Sequence, residues 1–126
     1  KNNLIEDSFK RIIQFSRYGY IETWRINRNI HILNLFGYLI YKYIKNKKVK
    51  INLIIPLSID AIPISTIVAD WLNTSISILY REPYLTIDKV ISKKYLKDGE
   101  DKILEVYLPK ESFRRNDNIL FIDLIV

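Results

Sequence analysis

The feature that most constrains the fold of this chain is a strand, a helix and a second strand that follow one another directly. The run Ile51–Ile55 is short, rich in β-branched residues and bounded by Pro56, which predicts a buried strand. A helical pattern then continues to about Asn73, and residues 75–80 form a second short strand pattern. A strand, helix and strand in this order form a parallel pair whose crossover is right-handed in nearly all proteins. The chain is therefore predicted to be an α/β protein.

The helix between these strands has a polar start and an apolar inner face. Ser58 and Asp60 stand where they can cap a helix whose first residue is Ile62 or Pro63. The residues predicted to point inward are Ile67, Val68, Trp71 and Leu72.

The remaining patterns complete a single domain. Apolar residues at helical spacing predict helices over residues 4–15 and 30–44, whereas residues 20–29 show no clear period. After Pro83, a polar, lysine-rich excursion continues to Glu100. Further strands are predicted over Ile103–Leu108 and Ile119–Ile122. Residues 1–126 are thus predicted to form one α/β domain, with a mostly parallel twisted sheet and flanking helices.

Composition argues against several kinds of site. The chain has no cysteine and a single histidine, His31, which excludes disulfides and thiolate metal sites and makes a histidine-based zinc site implausible. The most apolar stretch, residues 51–72, is interrupted by Pro56, Asp60 and Pro63 and does not read as a membrane span. We expect a soluble, cytoplasmic protein without a membrane partner.

A net charge of +6 and a pI near 9.5 suit a nucleic-acid partner. However, the lysines are spread along the chain. Their only tight cluster, Lys45 to Lys50, ends a predicted helix, where the helix dipole favours cations. A solvated lysine face is the favoured interpretation, and DNA is kept as a candidate partner.

The last predicted strand ends in a carboxylate, that of Asp123. In open α/β sheets, ligands bind outside the carboxyl ends of the strands, so Asp123 is expected in a ligand crevice. The chain begins with Lys1 rather than Met and stops at Val126, shortly after this strand. We therefore expect a domain truncated at its C-terminus, with an exposed apolar sheet edge.

Three segments, in the same order, resemble the type I phosphoribosyltransferase family, closest to its adenine and purine enzymes and their regulatory relatives. The first segment is Ile54–Ser65, an apolar strand, a small loop with an acid and an Ile-Pro-Ile-Ser helix start. It is similar to the loop that holds pyrophosphate in that family. The family's usual glycines are absent, and Leu57 and Ala61 stand in this neighbourhood.

The second segment runs from Tyr80 to Val106, and it places Arg81 directly after a predicted strand. Its Val90–Tyr95 and Asp98–Asp101 portions are similar to the mobile hood of adenine phosphoribosyltransferases.

The third segment, Ser112–Asp123, resembles the lead into the family's signature of two acids and a Thr-Gly loop. Asp123 occupies the first acidic position, but Leu124 stands where the second acid is expected. The Thr-Gly portion would lie beyond Val126.

The resemblance implies transfer of phosphoribose from phosphoribosyl pyrophosphate to a purine base in purine salvage, with adenine slightly preferred and pyrophosphate released. It also implies Mg²⁺ held mainly by the substrate, a small hood and a homodimer. The implied catalytic residues are Asp123, on the ribose, and Glu100, in the hood. The implied substrate-binding residues are Arg81, Ser58, Asp60, Lys93 and Lys94.

Residues 1–29 are predicted to contribute a helix and a hood segment. They hold most of an aromatic and basic patch. A buried structural cluster is the favoured interpretation of this patch, and a base-covering hood and a subunit interface are the alternatives. Its members are Tyr18, Tyr20, Trp24, Arg25, Arg28 and His31.

Two other functions stay open. Leu124 and the missing glycines favour a non-catalytic regulator that senses phosphoribosyl pyrophosphate or a nucleotide and binds DNA. The nine tyrosines and two tryptophans suit a structural subunit that only oligomerises.

Overall fold

A parallel sheet forms the centre of the fold. The computed structural model describes residues 22–82, 90–96 and 103–124. In the sheet, β1 (Leu53–Pro56) lies between β2 (Ser75–Ile76) and β5 (Ile119–Ile122), and both neighbours run parallel to it. A separate antiparallel hairpin consists of β3 (Val90–Leu96) and β4 (Ile103–Pro109).

The described helices are α1 (Thr23–Asn27), α2 (Ile30–Asn46) and α3 (Ile62–Leu72). Short 3₁₀ turns precede α3 at Ile59–Ala61 and follow β4 at Lys110–Ser112. This arrangement confirms the predicted α/β class with a parallel sheet and flanking helices. Among the described residues, no helix has both the length and the apolar composition needed to cross a membrane.

Strand β1 is the buried strand that the sequence predicts, since all four of its residues are buried. It begins at Leu53 rather than at Ile51, and Asn52 before it binds the residues that precede β5. The Asn52 amide donates to the Asn118 carbonyl at 3.1 Å, and its side chain donates to Asp117 at 2.6 Å. These bonds fix the register between β1 and β5 at the amino end of the sheet.

The core lies between the sheet and the helices. Ile54, Ile76 and Leu120 occupy the same register position on adjacent strands and belong to one apolar cluster. Ile122 of β5 is a further buried member, and the helices contribute Ile26, Ile32, Leu33, Ile64, Val68 and Ala69. The burial of aliphatic side chains on this face is what fixes the helices against the sheet.

Helices α2 and α3 approach each other closely at Gly37. A Cβ at Gly37 would overlap Cγ2 of Ile67 and lie 3.2 Å from its Cβ. Glycine is therefore required here by space, because no other residue leaves room for Ile67.

The start of α3 corrects one prediction. The helix begins at Ile62, as expected, but its N-cap is Ala61 and no side chain caps it. Capping by Ser58 or Asp60 is wrong, because both side chains bind other parts of the chain. Ser58 donates to Asp123 and Asp60 accepts from Thr23.

The inward position predicted for Trp71 is also wrong. Its side chain is 47% exposed. It packs instead on the outer surface, where its ring centroid lies 5.2 Å from those of both Tyr38 and Tyr41 on α2.

The hairpin is attached to the chain that follows β2. Tyr80 and Tyr107 exchange backbone hydrogen bonds of 2.8 and 2.7 Å, and the Ser77 hydroxyl donates to the Ser112 carbonyl at 3.0 Å. Strand β2 is therefore shorter than the predicted 75–80, since Tyr80 pairs with the hairpin and not with β1.

Strand β3 and helix α1 were not predicted. The helix predicted over residues 4–15 lies outside the described residues. Strands β4 and β5 occur where the sequence places them.

Candidate functional site

A cavity lies where the parallel strands end. The carboxyl ends of β1, β2 and β5 meet at one edge of the sheet because the three strands are parallel. A cavity of about 650 Å³ opens between the loop after β1 and the segment after β2. Its apolar lining comes mostly from Pro56, Leu57, Ile59, Ile62, Ile78 and Leu79. The hairpin contributes Val106 to the same lining.

Three polar side chains and Tyr80 also line this cavity. Ser58 comes from the loop after β1, and Arg81 and Glu82 follow β2. Arg81 and Glu82 are exposed, so a ligand could reach both the guanidinium and the carboxylate from solvent. A cavity of this size and mixed lining is typical of a small-molecule site.

The loop after β1 is tied to the end of β5. The Leu57 amide donates to the Ile122 carbonyl at 2.9 Å, which extends the pairing of the two strands. The Ser58 hydroxyl then donates to Oδ1 of Asp123 at 2.8 Å. The same oxygen accepts the Leu124 amide at 2.9 Å, and the Asp123 side chain is exposed. Asp123 therefore stands beside the cavity, one hydrogen bond from its lining.

Leu124 is part of the apolar core rather than of the strand-end crevice. It is half-buried and packs against the cluster that contains Ile54 and Ile122. An acid at this position would bring a charge against the core, at a substantial desolvation cost. The structure thus gives a physical reason why leucine stands here.

Asp60 is turned away from the cavity, toward α1. Its Oδ2 accepts the Thr23 hydroxyl at 2.7 Å, and its carbonyl accepts Nδ2 of Asn27 at 2.9 Å. Asp60 is not among the residues that line the cavity.

The amides of the loop after β1 are available to a ligand. Among the described residues, no hydrogen bond uses the backbone N–H of Ser58, Ile59 or Asp60. Successive amides of this kind before a helix can bind an anion. The apolar side chain of Ile59 is 79% exposed beside them.

The predicted site residues therefore divide into groups. Ser58 and Arg81 line the cavity, and Asp123 adjoins it. Lys93 and Lys94 lie in β3, but their side chains are outside the described part of the structure, as is the whole of Glu100. The roles of these residues stay predictions.

Val106 and Tyr80 line the cavity, and local sequence patterns do not predict this. Both reach it through the pairing of Tyr80 with Tyr107, a contact between segments far apart in sequence.

Burial raises the pKa of the Tyr107 phenol above 10.0, and the hydrogen bond and charge of Glu105 raise it further. Tyr107 is thus expected to be neutral over the physiological range.

The aromatic and basic patch is not a buried cluster where it is described, so that prediction is wrong for those members. Trp24 is 49% exposed, and Arg28 and His31 are exposed. The Arg25 guanidinium lies 4.4 Å from the Trp24 ring centroid and forms an ion pair with Glu22. Only Ile26 of α1 enters the core, which leaves the aromatic and basic side chains outside.

Of the comparisons with known proteins, the one with solved structures identifies the fold. A scan against protein-family models finds no match, and a search of curated proteins finds none. Solved structures do match. Adenine phosphoribosyltransferase from Thermoanaerobacter pseudethanolicus superposes with a TM-score of 0.77 at 11% identity, covering 93% of this chain and 69% of that one.

Two further adenine phosphoribosyltransferases match to a similar degree. The Saccharomyces cerevisiae enzyme, solved with adenine and an imino-altritol bisphosphate, has a TM-score of 0.76 at 14% identity. The match covers 94% of this chain and 70% of that one. The Trypanosoma brucei enzyme, solved with AMP, pyrophosphate and ribose-5-phosphate, has a TM-score of 0.75 at 16% identity. Here the match covers 94% of this chain but 54% of the other, so this chain spans about half of that enzyme's length.

Such low identities carry the fold and not the activity. The matches cover 93–94% of this chain, whose parallel sheet and flanking helices agree with them. The chain has the type I phosphoribosyltransferase fold.

Proposed function

We propose that this protein binds phosphoribosyl pyrophosphate at the carboxyl ends of β1, β2 and β5 and transfers phosphoribose to a purine base, with adenine slightly preferred. In this reaction the bond from C1 of the ribose to the pyrophosphate oxygen breaks, and its electron pair leaves with pyrophosphate. A base nitrogen forms the new bond to C1 and loses its proton to pyrophosphate or water. The observation that carries the proposal is the strand-end cavity, lined by Ser58 and Arg81 and adjoined by Asp123.

Each group at the site would meet one part of the substrate. The unused amides of Ser58, Ile59 and Asp60 would receive pyrophosphate oxygens, and Arg81 would neutralise charge on the leaving group. Asp123 would accept hydrogen bonds from the ribose hydroxyls. Its Oδ1 already accepts Ser58 and Leu124, which fixes the carboxylate and leaves Oδ2 for a ligand.

Magnesium would be held mainly by the substrate. Among the described residues, no three His, Cys, Asp or Glu side chains come together to hold a metal ion. Mg²⁺ commonly binds through substrate phosphates and water, with one or two protein carboxylates. Asp123 is a candidate for such a carboxylate, and the bound ion would neutralise charge on the pyrophosphate.

The test is titration calorimetry of the intact protein with phosphoribosyl pyrophosphate and magnesium, repeated with Asp123→Asn. We expect binding that this change weakens roughly tenfold, as loss of a charged hydrogen-bond acceptor should. The matched control is Asp70→Asn, which makes the same chemical change at an exposed position of α3 away from the cavity. Absence of binding by the unmodified protein would contradict the proposal.

A base-by-base assay then tests transfer. With phosphoribosyl pyrophosphate and magnesium present, adenine should be converted to its nucleotide faster than guanine or hypoxanthine. Size-exclusion chromatography with light scattering tests the predicted homodimer in the same sample.

One observation favours a second function, that of a non-catalytic regulator. The position of the second acid holds Leu124, which is half-buried against the core and supplies no carboxylate to the site. A regulator would bind phosphoribosyl pyrophosphate or a nucleotide without transfer, and would bind DNA at low salt. Ligand binding without turnover of any base would favour this alternative, and turnover of adenine would exclude it.

A further inference from the structure

The loop after β1 is held from a side that does not belong to the cavity. Thr23 and Asn27 are four residues apart on α1, so their side chains lie on one face of the helix. Both bind Asp60, at 2.7 Å through its carboxylate and at 2.9 Å through its carbonyl. We call these two bonds the Asp60 latch.

Helix α1 can hold the loop in place because the helix is itself anchored to the core. Ile26, between the two latch residues, is only 3% exposed and belongs to the main core cluster. The latch therefore joins the middle of the loop to the core through a short helix, and not to a freely moving segment.

The latch is one of three attachments of the same short loop. Leu57 is held by the Ile122 carbonyl, and Ser58 is held by Asp123. With Asp60 also fixed, the amides of Ser58, Ile59 and Asp60 are restrained while their N–H groups stay unused by any described residue. Donors that are already in place bind an anion without a further cost in loop ordering.

We propose that Thr23 and Asn27 are positioning residues that preorganise the loop after β1 for phosphate oxygens, acting through Asp60. This inference rests on the proposed function, since it takes pyrophosphate as the ligand of the loop. It assigns α1 a part in ligand affinity although neither Thr23 nor Asn27 lines the cavity.

The test compares Thr23→Val, Thr23→Ser and Asn27→Ala in the intact protein. Valine keeps the shape of threonine but cannot donate, whereas serine keeps the hydroxyl. The matched control is Thr66→Val, which removes a hydroxyl bonded only to the Ile62 carbonyl within α3. Each variant is titrated with inorganic pyrophosphate and magnesium, and hydrogen exchange of the loop amides is followed without ligand.

We expect Thr23→Val and Asn27→Ala to bind pyrophosphate roughly two- to tenfold more weakly, the loss of one ordinary hydrogen bond. Exchange of the two hydrogen-bonded amides at the ends of the loop, those of Leu57 and Ala61, should accelerate in both variants. Thr23→Ser and Thr66→Val should behave like the unmodified protein. A role in general stability would not be confined to the loop, because it would accelerate exchange of core amides as well.

The possible failures are distinguishable. Unchanged affinity and exchange in Thr23→Val and Asn27→Ala would overturn the latch and leave the proposed function standing. Equal weakening by Thr66→Val would also overturn it. If the unmodified protein binds phosphoribosyl pyrophosphate but not pyrophosphate, the latch is overturned and the proposed function stands. If it binds neither, the proposed function fails as well.

Discussion

Strands β1 and β4 border the same cavity but are held in different ways. All four residues of β1 are buried, and it has a hydrogen-bonded strand on each side. In β4, residues 105–109 are only half-buried, and its one strand partner within the described residues is β3. The difference indicates a site with a rigid floor, made by the sheet, and a more adjustable wall, made by the hairpin.

The largest expected effect contrasts these two strands. Ile54→Ala removes a fully buried side chain of β1 and should lower the free energy of unfolding by about 3 kcal/mol. Val106→Ala in half-buried β4 should cost less than about 1 kcal/mol. Val68→Ala is the matched control, because it makes the same change at a fully buried position and should cost about 2 kcal/mol. Urea denaturation measures all three, and similar values for Val68→Ala and Val106→Ala would remove the distinction.

The rigid layer should also reject added volume. Gly37→Ala places a methyl group against Ile67 and should destabilise by about 1–3 kcal/mol, although alanine favours a helix by about 1 kcal/mol over glycine. Combining it with Ile67→Ala should cost less than the sum of the two single changes. Simple additivity in this double-mutant cycle would show that the close approach of α2 and α3 is not what requires glycine.

Two buried serines extend the comparison. Ser77 lies where the sheet meets the hairpin, and Ser65 lies within α3. The Ser77 hydroxyl joins the chain after β2 to Ser112, which follows the hairpin. The Ser65 hydroxyl in α3 is buried and has no hydrogen-bond partner among the described residues. Ser77→Ala should destabilise by about 1 kcal/mol, and Ser65→Ala should be neutral or stabilising. Thermal unfolding measures both, and a larger loss in Ser65→Ala would contradict the assignment.

The smallest effect concerns Tyr107 in the hairpin. Its pKa is raised by burial and then by Glu105, so the folded protein retains the phenol proton at a pH where the unfolded chain has lost it. The stability from this residue is therefore complete below pH 10 and is lost as the pH rises further. Glu105→Gln should lower the pKa part of the way to its usual value. Carbon-13 NMR of labelled tyrosine, assigned with Tyr107→Phe, follows the titration, and an unchanged midpoint would exclude Glu105 as a cause.

The sheet region could be predicted because its strands are short apolar runs that are visible in the local sequence. The predicted run Ile51–Ile55 contains most of the buried strand β1, and the run Ile119–Ile122 is the partly buried strand β5. Helix α3 begins at Ile62, as its proline and apolar spacing indicate. Strand β3 was missed because residues 90–96 include serine and two lysines, which give no apolar alternation.

The site was less predictable because its contacts join distant segments. Local sequence favours capping roles for Ser58 and Asp60, yet their partners are Asp123 and Thr23, 65 and 37 residues away. Asp123 could be placed at a strand end from its position after β5. Its partner Ser58 could not, since nothing in the local pattern distinguishes a serine that caps a helix from one that crosses to another strand.

The most direct test of the account is to map phosphoribosyl pyrophosphate and magnesium onto the backbone by amide NMR. The two edges of the sheet serve as internal references for each other. We predict shift changes at residues 57–60 and 123–124, at the carboxyl edge, and none at the turn of residues 114–118, at the amino edge. Changes confined to the amino edge, or no change at either edge, would contradict the central claim that the ligand binds where β1, β2 and β5 end.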